Sequence, residues 1–529
     1  MSYRLFEILP GALAWLTLVL VVVFSSRLPA FVAVFIILFD IYWLLKTVYL
    51  SLHLRSTFSA MRANLKIDWA RRLKELSRVG PPTPDQSVGA SELHWQDVYH
   101  LIILPMYREP YEVVRESFES LVRVNYPKDK LLVVLATEEA AGEHAKFVAQ
   151  KIKGEFGGKF FRFLVTTHPM GLPGEISGKG ANETWAAKEA KRLIIDPLVN
   201  TQTNVYNLQR KSALSQRKSA LRYENILVSV FDIDTQVFPE YFGRLSYVFL
   251  TSENRERAIY QPIPLFTNNV YKASAFARVV SFSATFWQMM QQSRPERLTS
   301  FSSQSIPFNV LVDIGFWQKD IVSEDSRIFW QCYLHYHGDF SVKPLLYPVS
   351  MDANVAPTFW GTVKNIYRQQ RRWGWGCENI PYMLDGFRKD DKIPAKKKWY
   401  WTFNVIEGFH SWATNSLMIF ALGWLPVVLG GRLFNYTLLS YGLPQVTRFI
   451  ISLSMIGIAS SAVLGILLLP PRPKWFRARH YLIYFFQWLL IPLTLTVFGA
   501  LPGLEAQTRL ALGGRFRLGF WVTPKTRGQ

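Results

Sequence analysis

Cysteine is nearly absent. Cys332 and Cys377 are the only two in 529 residues, and they stand in no metal-ligand spacing. That excludes a disulfide framework or a cysteine-built zinc site as the basis of the fold. Acidic residues are also scarce: 39 Asp and Glu stand against 60 Lys and Arg, for a formal net charge of +21. Such an excess suits an anionic partner, whether nucleic acid, lipid headgroups or an anionic substrate. No nucleic-acid recognition motif accompanies the charge. Charged residues make up only 19% of the chain, against 49% hydrophobic and 15% aromatic. That balance calls for membrane spans.

Residues 11–24 (GALAWLTLVLVVVF) carry no charge, and residues 29–51 carry only Asp40 and Lys46. About 20 apolar residues cross a bilayer. The first stretch alone also fits a signal peptide, but a second span follows at once and a helical hairpin explains both. Three further apolar stretches cover roughly 405–429, 447–469 and 481–501. The polar block between, about 53–400, holds most of the Lys and Arg, so the positive-inside rule predicts that it is cytoplasmic. The connection 471–480 (PRPKWFRARH) has the same character. A conflict follows at 481–501. If it crosses, the tail with Arg509, Arg515, Arg517, Lys525 and Arg527 ends outside. A re-entrant or interfacial path, or one further span, removes the conflict, and Pro492 and Pro502 suit an irregular helix.

The expected organisation is therefore two transmembrane helices in 1–52 and a linker in 53–97. A catalytic domain follows in 98–400, with interfacial helices near 360–400, then transmembrane or interfacial helices in 401–502 and a basic tail in 503–529. The segment 79–95 is rich in Pro, Gly and Ser, as linkers are. Residues 209–222 repeat a seven-residue unit, QRKSALS then QRKSALR. That repeat reads as a basic solvated helix or insertion, or as a lipid-headgroup contact.

The polar block alternates strand and helix patterns. YHLIILP (99–105), KLLVVLA (130–136), FRFLVTT and the strand 225–231 are apolar runs. Helical spacing falls at 110–124, 140–154 and 180–194. Short connections between them predict a parallel α/β sheet, with ligands beyond the carboxyl ends of its strands. Asp232 and Asp234 end the last strand, Glu138 ends the second, and Tyr107 ends the first. A buried carboxylate is costly unless paired or metal-bound. An Asp-x-Asp pair at a strand end suits a hard divalent cation shared with phosphates, though an ordinary turn explains most such pairs. In SEDSRIFWQCY, Glu324 and Asp325 fit either a general base or the acidic first turn of a helix. In RQQRRWGWG, Arg can clamp phosphate and Trp can stack on a sugar; a basic amphipathic helix on the bilayer surface reads the same way.

The order Pro105-Met-Tyr107-Arg-Glu109, Glu138, Asp232-Ile-Asp234, Ser323-Glu324-Asp325 and Gln369-Gln-Arg-Arg372-Trp373 resembles the membrane-embedded family-2 glycosyltransferases. It is similar to their cellulose synthase and hyaluronan synthase branch, by motif over 100–375 and by architecture over the whole chain. The resemblance implies an α/β GT-A (Rossmann-like) catalytic domain between transmembrane helices. It also implies inverting transfer from a nucleotide-diphosphate sugar with Mg²⁺ or Mn²⁺. Tyr107, Glu109 and Glu138 would then line the nucleoside pocket, with Thr137 or Glu139 as alternatives to Glu138. Lys179 in SGKGANE would sit in the donor loop. Asp232 and Asp234 would hold nucleotide and metal, and Asp325, with Glu324 beside it, would be the base. Gln369 and Arg372 would meet the diphosphate, and Trp373 the acceptor. Phe520, Val522, Thr523 and Lys525 in FWVTPK resemble a gating loop over the donor site. A frayed basic tail is the plainer alternative.

Three functions fit. One is a processive polysaccharide synthase that threads its product across the membrane. Another is a non-processive transferase using a lipid or lipid-linked acceptor, which the small number of spans keeps open. The last is an inactive transporter or scaffold, against which the full set of acids and the Trp motif argue.

Overall fold

The computed structural model describes residues 2–76, 93–176, 178–201 and 221–524. Lys525, most of the 79–95 linker and nearly all of the 209–222 repeat therefore lie outside the described residues.

The strands in chain order are β1 (Tyr99–Pro105), β2 (Leu131–Glu138), β3 (Arg162–His168), β4 (Ile226–Val230), β5 (Gln236–Val237), β6 (Ala258–Leu265), β7 (Ser305–Pro307) and β8 (Ser341–Ser350). They form one sheet in the order β3-β2-β1-β4-β7-β6-β8-β5. The half β3-β2-β1-β4 is parallel, as the strand and helix alternation predicts. β1, β2 and β4 are almost wholly buried because helices cover both faces, while the edge strand β3 is partly exposed. On one face lie Val114, Phe118, Val148, Ile152, Tyr241 and Phe242. On the other lie Ala186, Ala187, Ile328 and Phe329. The second half departs from the parallel expectation. β7 runs antiparallel to β4 and β6, and β5 antiparallel to β8. These strands, β5 of two residues and β7 of three, are too short to carry a periodic pattern.

Among the described residues four helices are long and apolar enough to cross a membrane: Tyr3–Arg27, Pro29–Asn64, Leu438–Leu467 and the broken Ala478–Leu512. A fifth path runs from Ala395–Phe420 into Leu422–Leu429 with a bend of 51°. Their contacts order their ends. Pro29 lies against Gly430, so the first hairpin turn and the 421–437 bend share one end of the bundle. At the other end Asn64 donates to Leu346 O of the sheet domain (2.9 Å), and Tyr271 OH donates to Pro470 O (2.6 Å). Arg4 donates to Leu510 O (2.9 Å), and Arg517 pairs with Glu7. The helices 3–27, 29–64, 395–420 and 438–467 therefore run between the two ends. The segment 478–512 leaves the domain end and comes back to it, broken by 3₁₀ and π turns at 487–490 and 496–500.

Its last part, Leu501–Leu512, packs across the helix Phe359–Gly374. A side chain at Gly374 would meet Gly503 Cα at 3.2 Å, so small residues permit the crossing. Tyr367 OH (2.9 Å) and Arg371 (2.7 Å) close the contact on the Glu505 carboxylate.

Candidate active site

Lys179 opens the helix Lys179–Ala190, which runs beside the helix Glu324–His335. Gly180 permits the approach: a Cβ there would stand 2.9 Å from Gln318 O and 3.0 Å from Glu324 Cβ. Asn182 Nδ2 donates to Ala136 O of β2 (3.0 Å) and ties the helix to the sheet. The Lys179 ammonium thereby reaches the carboxyl end of the parallel strands. It lies 2.9 Å from Asp325 Oδ1, 3.0 Å from Asp232 Oδ1, 3.3 Å from Glu183 Oε1 and 3.7 Å from Glu324 Oε1.

One cation thus faces four carboxyl groups. Burial works against the charge of Lys179, but Asp232, Asp325, Glu183 and Glu324 together outweigh it and hold its pKa well above the usual range. Burial pushes the Glu183 carboxyl well above the carboxylate range, against the pull of Lys179. Burial and the adjacent Asp325 raise Glu324 to about 8, opposed by Lys179 and Arg372. Ser302 Oγ donates to Asp232 Oδ2 (2.9 Å), and Ser300 Oγ to the Asp325 carbonyl (2.6 Å).

The two acids of the Asp-x-Asp pair part company. Asp232 joins Lys179. Asp234 is fully buried and turns to the segment just after β8, where its Oδ2 accepts from Asp352 N (3.0 Å). Asn268 Nδ2 bridges the Asp234 carbonyl (2.9 Å) and Asp352 Oδ1 (3.0 Å).

A second group forms where β1 and β2 end. Tyr107 N donates to Glu109 Oε2 (2.7 Å). Burial first, and the Glu109 charge second, push Glu138 up to about 7. Thr137 instead turns into the sheet and donates to Thr166 O (2.9 Å), and Glu139 accepts from Met170 N (3.0 Å).

The helix Phe359–Gly374, capped by Thr358, carries Gln369, Arg372 and Trp373. Gln369 Oε1 accepts from Asn354 Nδ2 (3.3 Å). Trp373 packs on Phe266 and Phe301, with ring centroids 6.2 and 6.0 Å away. Arg372 stands 5.3 Å from the Phe520 ring, and Arg368 stands 5.7 Å from Trp521. The tail thus lies over the start of the Lys179 helix: a side chain at Gly178 would meet the Phe520 ring at 3.1 Å. Val522 is half-buried and Thr523 buried beside them.

Sequence reasoning missed Glu183, Gly180 and Ser302. The four-residue spacing of Lys179 and Glu183 on one helix face was a usable signal for the first. Ser302 has no local signal, because it meets Asp232 only through the fold.

The chain belongs to the glycosyl transferase family group 2, whose model matches residues 227–501, more than half of the chain. It is a glycosyltransferase, and its mixed sheet is the GT-A-like fold expected from the motifs. No curated protein sequence matches it. Among solved structures it is similar to the mannosyltransferase PcManGT from Pyrobaculum calidifontis in complex with GDP-Man and Mn²⁺. That match has 12% identity and a TM-score of 0.37, over 79% of this chain and 99% of that one. It is also similar to S. aureus TarS 1-349 in complex with UDP, with 10% identity and a TM-score of 0.34, over 69% and 90% of the two chains. Membership rests on the family match.

Proposed function

We propose that the chain transfers a sugar from a nucleotide-diphosphate sugar to a growing glycan by inverting displacement, from a domain on the cytoplasmic face of the membrane. The observation that carries this reading is Lys179, whose ammonium joins Asp232 on the donor side to Asp325 on the acceptor side.

The acceptor hydroxyl oxygen bonds to the anomeric carbon while the bond from that carbon to the phosphate oxygen breaks. The electron pair leaves with the nucleoside diphosphate, and Asp325 takes the hydroxyl proton. A positioned base of this kind contributes roughly 10²–10⁴-fold. Lys179 and Arg372 stand ready for the charge that grows on the departing diphosphate, which fixed cations stabilise without reorganisation. Trp373 offers the acceptor sugar a flat apolar face, and Tyr107, Glu109 and Glu138 frame the nucleoside.

The donor set fits a hard divalent cation: carboxylate oxygens dominate, and a single ammonium opposes four carboxyl groups. Asp232, on the donor side of this cluster, would hold Mg²⁺ or Mn²⁺, whereas Asp234, the other ligand the motif suggests, is turned away to Asp352 N. Such an ion supplies positive charge to the diphosphate. Asp232→Ala should then abolish metal-dependent nucleotide binding.

The test is a panel of radiolabelled nucleotide sugars incubated with membranes containing the chain. Release of a nucleoside diphosphate and label in an elongated product support the reading. A single-addition product would point to the lipid-linked acceptor, and no release with any donor would refute the transferase assignment for this centre.

A further inference from the structure

Between Glu407 and Glu505 the chain contains no Asp or Glu. Within this acid-free stretch the connection between the helices Leu438–Leu467 and Ala478–Phe486 carries Arg472, Lys474 and Arg477, and the first turn of the second helix carries Arg479, all exposed. None of the four is ion-paired among the described residues.

The connection is held in place. Tyr271 OH donates to Pro470 O (2.6 Å), and the Tyr271 ring meets Trp475 and Phe476 at 6.0 and 5.3 Å. Phe476 is buried and stacks on His480. Trp475 beside it remains 51% exposed. Four unopposed cations and an amphipathic ring therefore stand on a fixed loop and the helix turn after it, where two apolar helices meet the domain. Exposed Trp settles at the headgroup level of a bilayer, and basic groups near that surface attract anionic lipid.

We infer that Arg472, Lys474, Arg477 and Arg479 form a docking surface for anionic phospholipid headgroups. The patch recognises phosphodiesters presented by the bilayer, with Trp475 seated at the headgroup boundary. This inference rests on the bilayer placement of the helices proposed above, but on no step of the sugar transfer.

The test uses the full chain in nanodiscs of equal parts phosphatidylcholine and phosphatidylglycerol. The lipids retained after detergent extraction and gel filtration are then measured. The wild type should retain phosphatidylglycerol over phosphatidylcholine, and the preference should fall about tenfold in R472Q/K474Q/R477Q/R479Q. The charge-keeping variant R472K/R477K/R479K should behave as wild type, which separates charge from a folding defect. Inorganic phosphate added at the concentration of the anionic lipid should not compete. Competition by phosphate, equal retention by the glutamine variant, or no preference in the wild type would overturn the inference. Extraction of the chain by alkaline carbonate would refute the bilayer placement itself and the lipid surface with it. A chain that resists carbonate but shows no lipid preference refutes the lipid surface alone.

Discussion

The Lys179 ammonium lies 2.9 Å from Asp325 Oδ1. It holds the proposed base and, through Asp232, the donor side of the centre in one ion cluster. In the proposed reaction an anionic diphosphate entering beside Asp232 would compete for the same ammonium. Donor binding and release of the base in that reaction would thereby be linked through a single side chain.

Lys179→Met removes the cluster's ammonium and leaves Asp232, Glu183, Glu324 and Asp325 facing one another. Loss of one preorganised stabiliser of developing charge typically costs ~10²–10³ in kcat. A drop of that size, measured as nucleoside diphosphate release by purified protein, is expected. A change of less than about threefold would remove Lys179 from the reaction.

Gly180→Ala places a methyl group 2.9 Å from Gln318 O and 3.0 Å from Glu324 Cβ. The two helices must part or the cluster must shift. Overpacking of this kind costs about 1–3 kcal/mol. Both the apparent melting temperature and the transfer rate should fall, since the same helix contact carries Lys179 and Glu324.

Glu138 gives the protein a pH-dependent stability. Its carboxyl titrates at about 7 in the folded protein, against 4.5 ordinarily, because it is buried and faces Glu109. Between those values the folded state keeps a proton that the unfolded chain has lost. Its contribution to stability therefore falls as pH rises through that window and levels off above it. Melting curves across the window should show a shallower decline in Glu138→Gln than in the wild type. Parallel curves would contradict the assignment.

Phe520 rests on Gly178 and faces the Arg372 guanidinium at 5.3 Å. A cation–π contact of this kind is worth about 0.5–1 kcal/mol, so Phe520→Ala should raise the donor KM roughly two- to fivefold. Unchanged donor kinetics would make the tail a bystander.

Much of this was legible because it was local. The apolar runs of β1, β2 and β4 announce strands buried on both faces, and the acids that follow them stand at the ligand edge. Glu324 and Asp325 were legible from the helix pattern that begins with them. What was not legible depends on distant partners. Lys179 pairs with Glu183 on its own helix, but also with Asp232 and Asp325, which only the sheet and the Gly180 contact bring near. Asp234 reads like its neighbour in sequence, yet the turn after β4, closed by Thr235 N donating to Asp232 O (2.8 Å), sends it to Asp352. The segment 478–512 is apolar enough to be a span. Only the contacts of its two ends, at Pro470 and at Arg4, show that it comes back to the domain.

The central claim is that the ion cluster at Lys179 is the centre of sugar transfer and that Asp325 is its base. The most direct test compares wild type with Asp325→Asn, both purified, for nucleotide-sugar binding and for product formation. The variant should bind the donor as the wild type does and form no product. Product formation at the wild-type rate by Asp325→Asn would contradict the account.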